Sequence, residues 1–342
     1  MRKNTKYILL LALLAVLHSA CEKNIDIDID EIETMIVLNG ILTEGDHVNM
    51  YLSRTRHILD NMQITTLQNA TVVIADEEGN TDTLTYGSDQ LYRTNRMTIE
   101  SGKEYTVSAS ATGYNAISAT SLIPEPVPMV RLDTSSSVDE WGEQMFDFSV
   151  VFDDPAEVPN YYMLAVRSYY EIARIDFNYI LDTLYVDPEK DTVVMGYRQD
   201  TTEYLDVRNE NVWFESENLA IDNEDSYQNR IIFSDKLFDG KKYSITGRFY
   251  AWYLQQAKDS ATIYISLHAI DEHYYKYIDS RTDHYYAKND PFAVPVVVHN
   301  NIENGVGILG GMSVDTDSIT IKLPSPVDNW ENPIYYDDIS GN

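Results

Sequence analysis

The sequence predicts a mainly β protein: two β-sandwich domains, the second carrying one short helix and a long insertion. Three observations predict it. Apolar and polar residues alternate with period two in many short runs bounded by Gly, Asn and Asp. Pro124, Pro126 and Pro128 interrupt those runs once. A 3.6-residue period occurs in a single stretch, at 272–287. The length of 342 residues also exceeds what one core comfortably fills.

The elements follow in order. Arg2, Lys3 and Lys6 precede an apolar run from Tyr7 to Leu17, which has the length of a signal peptide and is too short to span a bilayer. Ser19 and Ala20 are the small residues that a peptidase requires. Cys21, the only cysteine, comes next. A thiol at that place is expected to be diacylated and to anchor the mature chain, since two or more acyl chains hold a protein stably in a membrane. The segment 1–20 is therefore read as a lipoprotein signal peptide and 21–33 as an acidic tether. In the tether Ile25, Ile27 and Ile29 alternate with Asp26, Asp28 and Asp30. Acids just behind a lipidated cysteine resemble the export signal of surface lipoproteins, so surface display is expected over a periplasm-facing position, with a plain solvated linker as the alternative.

Residues 34–124 read as short strands. Val48, Met50 and Leu52 alternate with Asn49, Tyr51 and Ser53, and Ala70 to Ala75 ends in the turn chemistry of Asp76 to Gly79. Thr81 to Tyr86, Leu91 to Thr94, Tyr105 to Ala111 and Ala116 to Ile123 continue the pattern. The domain boundary is placed at the prolines, because proline denies ladder hydrogen bonds and stiffens a connection. Residues 125–324 form the second sandwich. Phe146, Phe148, Val150 and Phe152 face one way, and Tyr161 to Tyr170 and Phe177 to Val186 are aromatic and β-branched. The polar stretch 187–230 is expected to be a long irregular insertion. Asp271 is expected to cap the helix near 272–287. Ile319, Ile321 and Leu323 give a last strand, and 325–342 a surface tail.

Asn301 to Gly311 holds four glycines and is expected to turn the chain inside the second sandwich. Gly305, Gly307 and Gly310 match a dinucleotide fingerprint by spacing, but Met312 to Asp315 do not open a helix as that motif requires. His268, His273, His284 and His299 lie close in sequence. His273 and His284 stand three helical turns apart, about 16 Å, so they cannot share an ion; a pairing through His299 or a carboxylate stays open. The acids at Asp222 to Asp225 and at Asp337 and Asp338 lack the ligand order of an EF-hand and read as solvated turns. No nucleophile elbow, His-Glu-x-x-His or P-loop occurs. No catalytic, cofactor-binding or metal residue is assigned. A net charge of −30 argues against nucleic acid as a partner. The 26 tyrosines against 9 phenylalanines suit half-buried sheets and contact surfaces; in doublets such as Tyr161-Tyr162 one ring is expected inward and one outward.

Two resemblances add to this. Ala70, Val72 and Ile74 running to Gly79, with Gly102, Tyr105 and Val107 running to Gly113 and Tyr114, resemble the transthyretin-like (carboxypeptidase regulatory-like) sandwich. The two domains are thus expected to be transthyretin-like or Ig-like. The series Tyr274 to Ser280, then Asp290, Pro291, Phe292, Pro295, then Asn301, Ile302, Gly305, Gly307 and Gly310 resembles the lipoproteins of domain-of-unknown-function family 4249. That resemblance covers roughly 21–323, with Val294 and Leu309 as departures. It implies a Gram-negative cell-envelope lipoprotein in the company of TonB-dependent transporters; taken with the signal segment, the two sandwiches and the missing catalytic motif, the expected role is a non-enzymatic outer-membrane accessory docking beside such a nutrient transporter. It carries no established site residues. An envelope glycan or peptide hydrolase, or a structural adhesin subunit, are the competing expectations.

The anchor generates a prediction. Cys21→Ala moves the protein from the membrane to the soluble fraction, because no other stretch offers about 20 apolar residues. Cell fractionation at high salt reads this, and retention in the membrane would refute the lipid anchor.

Overall fold

The fold is described from a computed structural model, which covers residues 33–57, 63–187, 192–225, 229–254, 257–288, 290 and 292–323. The signal segment 1–20, Cys21 and the tether up to residue 32 lie outside the described residues, as do Pro291 and the tail 325–342.

The first half holds β1 (Ile36–Thr43), β2 (His47–Arg54), β3 (Thr71–Asp76), β4 (Thr81–Thr83), β5 (Thr85–Tyr86), β6 (Tyr92–Thr98), β7 (Glu104–Ser110) and β8 (Ile117–Leu122). The proline stretch leads into β9 (Met129–Val138), β10 (Gln144–Asp153), β11 (Tyr161–Asp187), β12 (Thr192–Asn211), β13 (Ile221–Asp225) and β14 (Arg230–Ser234). Then come β15 (Lys242–Tyr250), β16 (Ser260–Ile270), helix α1 (Glu272–Lys288) and β17 (Val306–Lys322). The protein is mainly β, with sandwich-like packing and one α-helix among the described residues.

One large sheet runs through both halves in the order β13-β14-β11-β16-β17-β1-β2-β6-β5, with β12 also paired to β11. Two smaller sheets, β4-β3-β7-β8 and β15-β10-β9, complete the framework. Each small sheet packs over one end of the large sheet, so two cores share a layer. The first core joins Ile36, Leu38 and Leu42 of β1 and Met50 and Leu52 of β2 to Val72, Ile74, Tyr105 and Val107. The second joins Tyr162, Leu164 and Val166 of β11 and Ile263 and Ile265 of β16 to Phe148, Val150, Phe152, Ile245 and Phe249. Burial alternates along β1 and β7 as period two requires. Aromatic rings fill the second core: Phe152 lies 5.1 Å from Tyr162, and Tyr162 lies 5.3 Å from Phe233.

The helix covers the other face of the large sheet. Tyr274, Tyr275 and Ile278 pack with Met163, Ile232 and Ile270. Its start is capped as the sequence suggested, with the Tyr274 amide donating to Asp271 Oδ1 at 2.7 Å.

Two expectations change. Much of the 187–230 stretch is not irregular: β12 pairs with β11 from Arg167↔Asn211 out to Asp187↔Thr192. Its polarity disguised it, because Tyr204, Leu205 and Val207 are all exposed and impose no inward-facing alternation on the later part of the strand. Strand β9 escaped for the same reason, since its serine-rich middle is exposed. The glycine-rich segment is not a turn within the second sandwich. It opens β17, which runs parallel to β1 from Val37↔Val306 to Thr43↔Met312 and so stitches the halves together.

Two glycines explain why that seam can form. Gly307 has φ +126°, and a Cβ there would lie 1.9 Å from the Leu38 carbonyl oxygen. At Gly310 a Cβ would lie 2.7 Å from the Tyr274 Cβ, where α1 crosses the strand. Gly307→Val therefore forces both a strained backbone and a collision with backbone. The strain alone costs about 1–3 kcal/mol. Because the seam belongs to both halves, calorimetry should show the two cores losing stability together; an unchanged melt, or loss confined to one half, would contradict this reading.

Candidate functional site

Where the halves meet they leave a half-open cleft of about 700 Å³. One wall comes from the first half: Glu104 on β7, Leu122 at the end of β8 and Glu125 in the proline stretch. The loop from Pro155 to Asn160 and Tyr161 form the opposite wall. Ala269 and Ile270 lie beneath, and Asp271, Glu272 and His273 bring the start of α1 to the rim. The lining holds four carboxylates and no lysine or arginine.

The loop wall is pinned by acids. Asp154 accepts from the Tyr162 hydroxyl at 2.5 Å and from the Gly240 amide at 2.8 Å, and Asp235 accepts from the Asn160 amide at 2.8 Å. Asp154, Asp235 and Asp239 bring oxygens within 4.8 Å of one another, close enough among the described residues to share a hard cation. Burial raises the Asp154 pKa, and the neighbouring Asp235 and Asp239 charges raise it further. The acidic stretches expected to be solvated turns lie elsewhere. Asp222 instead accepts from the Ser234 hydroxyl at 2.9 Å, and Asp337 and Asp338 lie outside the described residues.

The histidines separate. His273 and His299 share a hydrogen bond, Nδ1 to Nε2, at 3.0 Å, which engages the facing nitrogens with each other rather than with an ion. That bond places one proton between the rings. Burial lowers the His299 pKa, and the His273 and Lys276 charges add to this against the opposing Glu272. His284 Nδ1 instead donates to the Val296 carbonyl at 2.7 Å, and the His299 amide donates to Ser280 Oγ at 2.8 Å. These bonds strap the segment 292–300 along α1.

A second depression, about 480 Å³, lies on the outer face of the sheet β15-β10-β9 and holds Asp147, Glu215 and Glu217. Arg248 Nε donates to Asp147 at 2.6 Å, so that carboxylate is already an ion-pair partner.

The family model described as a domain of unknown function (DUF4249) matches residues 22–318. The chain belongs to this family. No curated protein sequence matches it. Among solved structures, the full-length major pilin SpaD from Corynebacterium diphtheriae aligns at 10% identity over 71% of this chain, with a TM-score of 0.15. The chain spans 62% of that pilin's length. The B domain of a biofilm associated protein aligns at 6% identity over 82% of this chain and 85% of its own, with a TM-score of 0.18. Both scores are too low to support an argument about this fold.

Within the DUF4249 chain the motif at 290–310 divides into two parts. The later part is structural. Asn301 Nδ2 donates to the Leu309 carbonyl at 2.8 Å, and its Oδ1 accepts the Leu309 amide at 3.0 Å. Ile302 is buried in the first core, and a Cβ on Gly305 would lie 2.9 Å from the Ile36 carbonyl oxygen. The earlier part is exposed. Asp290 accepts the Phe292 amide at 2.9 Å and turns the chain, leaving Phe292, Val294, Pro295 and Val297 outward. Phe292 is 95% exposed and Val297 88%.

The tyrosine doublets obey the one-in, one-out rule only on strands. Tyr162 is buried while the Tyr161 ring packs tilted, 4.7 Å from Tyr275, on the opposite face. On the helix both Tyr274 and Tyr275 are buried, and both Tyr285 and Tyr286 are exposed. Sequence reasoning did not single out Glu104, Glu125 or Leu122. Nothing local marks them, because the cleft exists only once two halves pack.

His268 stands apart, opposite Met163 in the strand register, and its buried Nδ1 has no hydrogen-bond partner among the described residues. Burial lowers its pKa to about 4, and the Arg230 charge adds to the effect. The unfolded chain takes up a proton near pH 6.5 while the folded one resists until about pH 4, so stability falls across that window as pH drops. His268→Leu should remove an acid-side loss on the order of 2–3 kcal/mol, read from denaturant melts at pH 7 and pH 4.5. Parallel curves for both proteins would refute the buried neutral histidine.

Proposed function

We propose that this protein is a non-enzymatic accessory lipoprotein of the outer membrane, anchored through Cys21 and docking beside a TonB-dependent nutrient transporter. The observation that carries the docking role is the exposed family segment with Phe292, Val294 and Val297. Soluble surfaces rarely keep neighbouring large apolar side chains in water unless something covers them. The strap of histidine and serine hydrogen bonds holds that segment in place on α1, so the apolar side chains are presented on a fixed base. The lipid anchor and the acidic tether support a position on the cell surface. The first sandwich is read as transthyretin-like; a Gly79 turn after β3 and the Tyr105 hydroxyl accepting the Glu100 amide at 3.0 Å support this.

The test is affinity purification from detergent-solubilised membranes. The wild-type chain should co-purify a TonB-dependent transporter. Phe292→Asp with Val297→Asp should lose most of that recovery while keeping the wild-type melt, since neither side chain packs against a core. Equal recovery with both proteins, or no transporter with the wild type, would overturn the reading.

A further inference from the structure

We infer that the cleft between the two halves receives a lysine or arginine side chain carried beside an apolar residue on a partner polypeptide. The inference rests on the docking reading only in taking the occupant to be a protein segment; the chemistry comes from the cleft itself.

The cleft's 700 Å³ lies within the range of real ligand sites, and its walls and floor are largely apolar. Its four acids are not equivalent. Asp271 is committed, since Oδ2 accepts from Ser121 Oγ at 2.7 Å and Oδ1 caps α1. Glu272 pairs with Lys276 at 2.7 Å. Lys103 is also occupied, by Glu100 at 2.9 Å and Glu78 at 3.5 Å. Glu104 and Glu125 are left on one wall with no ion pair or hydrogen bond among the described residues. Beside them Leu122 is 54% exposed.

That combination selects its occupant. An anion meets four carboxylates, and the start of α1 at the rim is already capped by Asp271. A sugar would need donors as well as acceptors beside an open aromatic face, and the Tyr161 ring already packs 4.7 Å from Tyr275. The Asn160 amide, oriented so that its nitrogen faces the Pro155 and Val158 carbonyls at 3.0 and 2.9 Å, is consumed within its own loop. A long basic side chain fits instead. Its methylene stem lies along Leu122 and the loop wall while its charged head reaches Glu104 and Glu125. A neighbouring apolar residue covers Val158 of the loop wall, which is 60% exposed. The half-open shape admits a side chain presented from a partner's surface.

The experiment uses the full-length chain purified in detergent and a synthetic blocked pentapeptide of alternating leucine and lysine, with calorimetric titration as the readout. Binding should occur and weaken as salt rises. The same peptide with acetylated lysines should bind at least about tenfold more weakly. Glu104→Gln with Glu125→Gln should also cost about tenfold, and Leu122→Ser should weaken binding without changing the melt. Glu77→Gln with Asp317→Asn removes equal charge from exposed sites elsewhere and should leave affinity unchanged. If the Glu77/Asp317 variant loses as much as the cleft variant, bulk negative charge is responsible and the inference falls. If the acetylated peptide binds equally, or no peptide binds, it falls as well. Peptide binding at the cleft without transporter recovery would leave this inference standing and reject the docking reading instead.

Discussion

Everything in the architecture depends on the pairing of β1 with β17. These are the first and last strands among the described residues, and they lie side by side in the middle of the large sheet. Parallel neighbours cannot be joined by a hairpin, so here nearly the whole described chain serves as the connection. Closing a loop of that length costs about 5 kcal/mol of entropy before any contact forms, though the cost grows only slowly with length. The pairing must therefore form together with both cores that flank it. Leu38 and Leu42 of β1 belong to the first core, and Ile321 of β17 belongs to the second. The glycines of β17 are the local condition for this closure, because β1 and α1 approach too closely to leave room for side chains.

How legible this was depends on what each element buries. β1, β2, β7 and β10 could be read because one face enters a core and the other meets water, so period two is written into the residue types. The helix was legible for a related reason: Tyr274 and Ile278 fall on one face, and Asp271 supplies the cap. β9 and much of β12 were not, since exposed strands on an edge or a hairpin impose no apolar alternation. The opening of β17 was misread because glycine has two uses, turning a chain and letting backbones approach. The sequence alone does not say which. The candidate cleft was the least legible feature. Glu104, Glu125, Tyr161 and Glu272 come from four elements and meet only through tertiary packing.

The acidic composition acquires a partly structural meaning. Many carboxylates cap backbone amides where the chain bends. Asp82 shows the principle: burial pushes its pKa up, but amides of Met97, Arg96 and Asn95 at 3.0, 2.7 and 2.9 Å outweigh this and hold it below the ordinary value. Asp76 does the same work at the β3–β4 turn, accepting the Asn80 and Glu78 amides at 2.8 and 3.1 Å. Asp154 is the contrasting case. It too serves an amide, but it sits beside two other acids and its pKa rises. Acids used as caps need no cationic partner, which is how a chain with 55 acidic and 25 basic residues folds without extensive ion pairing.

That usage also sharpens which charges are available for recognition. A carboxylate already accepting two backbone or hydroxyl donors has little left for a ligand, and its removal would damage the fold. A carboxylate that accepts none contributes only like-charge repulsion to the folded state. Glu104 and Glu125 belong to the second group, and they stand beside exposed Leu122 where two halves meet. The same division runs through the family motif. Asn301, Ile302 and the glycines are consumed by the seam, whereas Phe292, Val294 and Val297 support nothing beneath them. In both places the residues that the fold does not use for itself are the ones whose chemistry faces outward, one apolar and one acidic. The strap that carries the apolar group begins on α1, and the start of α1 forms the rim of the acidic cleft. A partner that covered the strap and inserted a basic side chain into the cleft would thus contact one rigid element, and its two contacts would reinforce each other without any change in the fold.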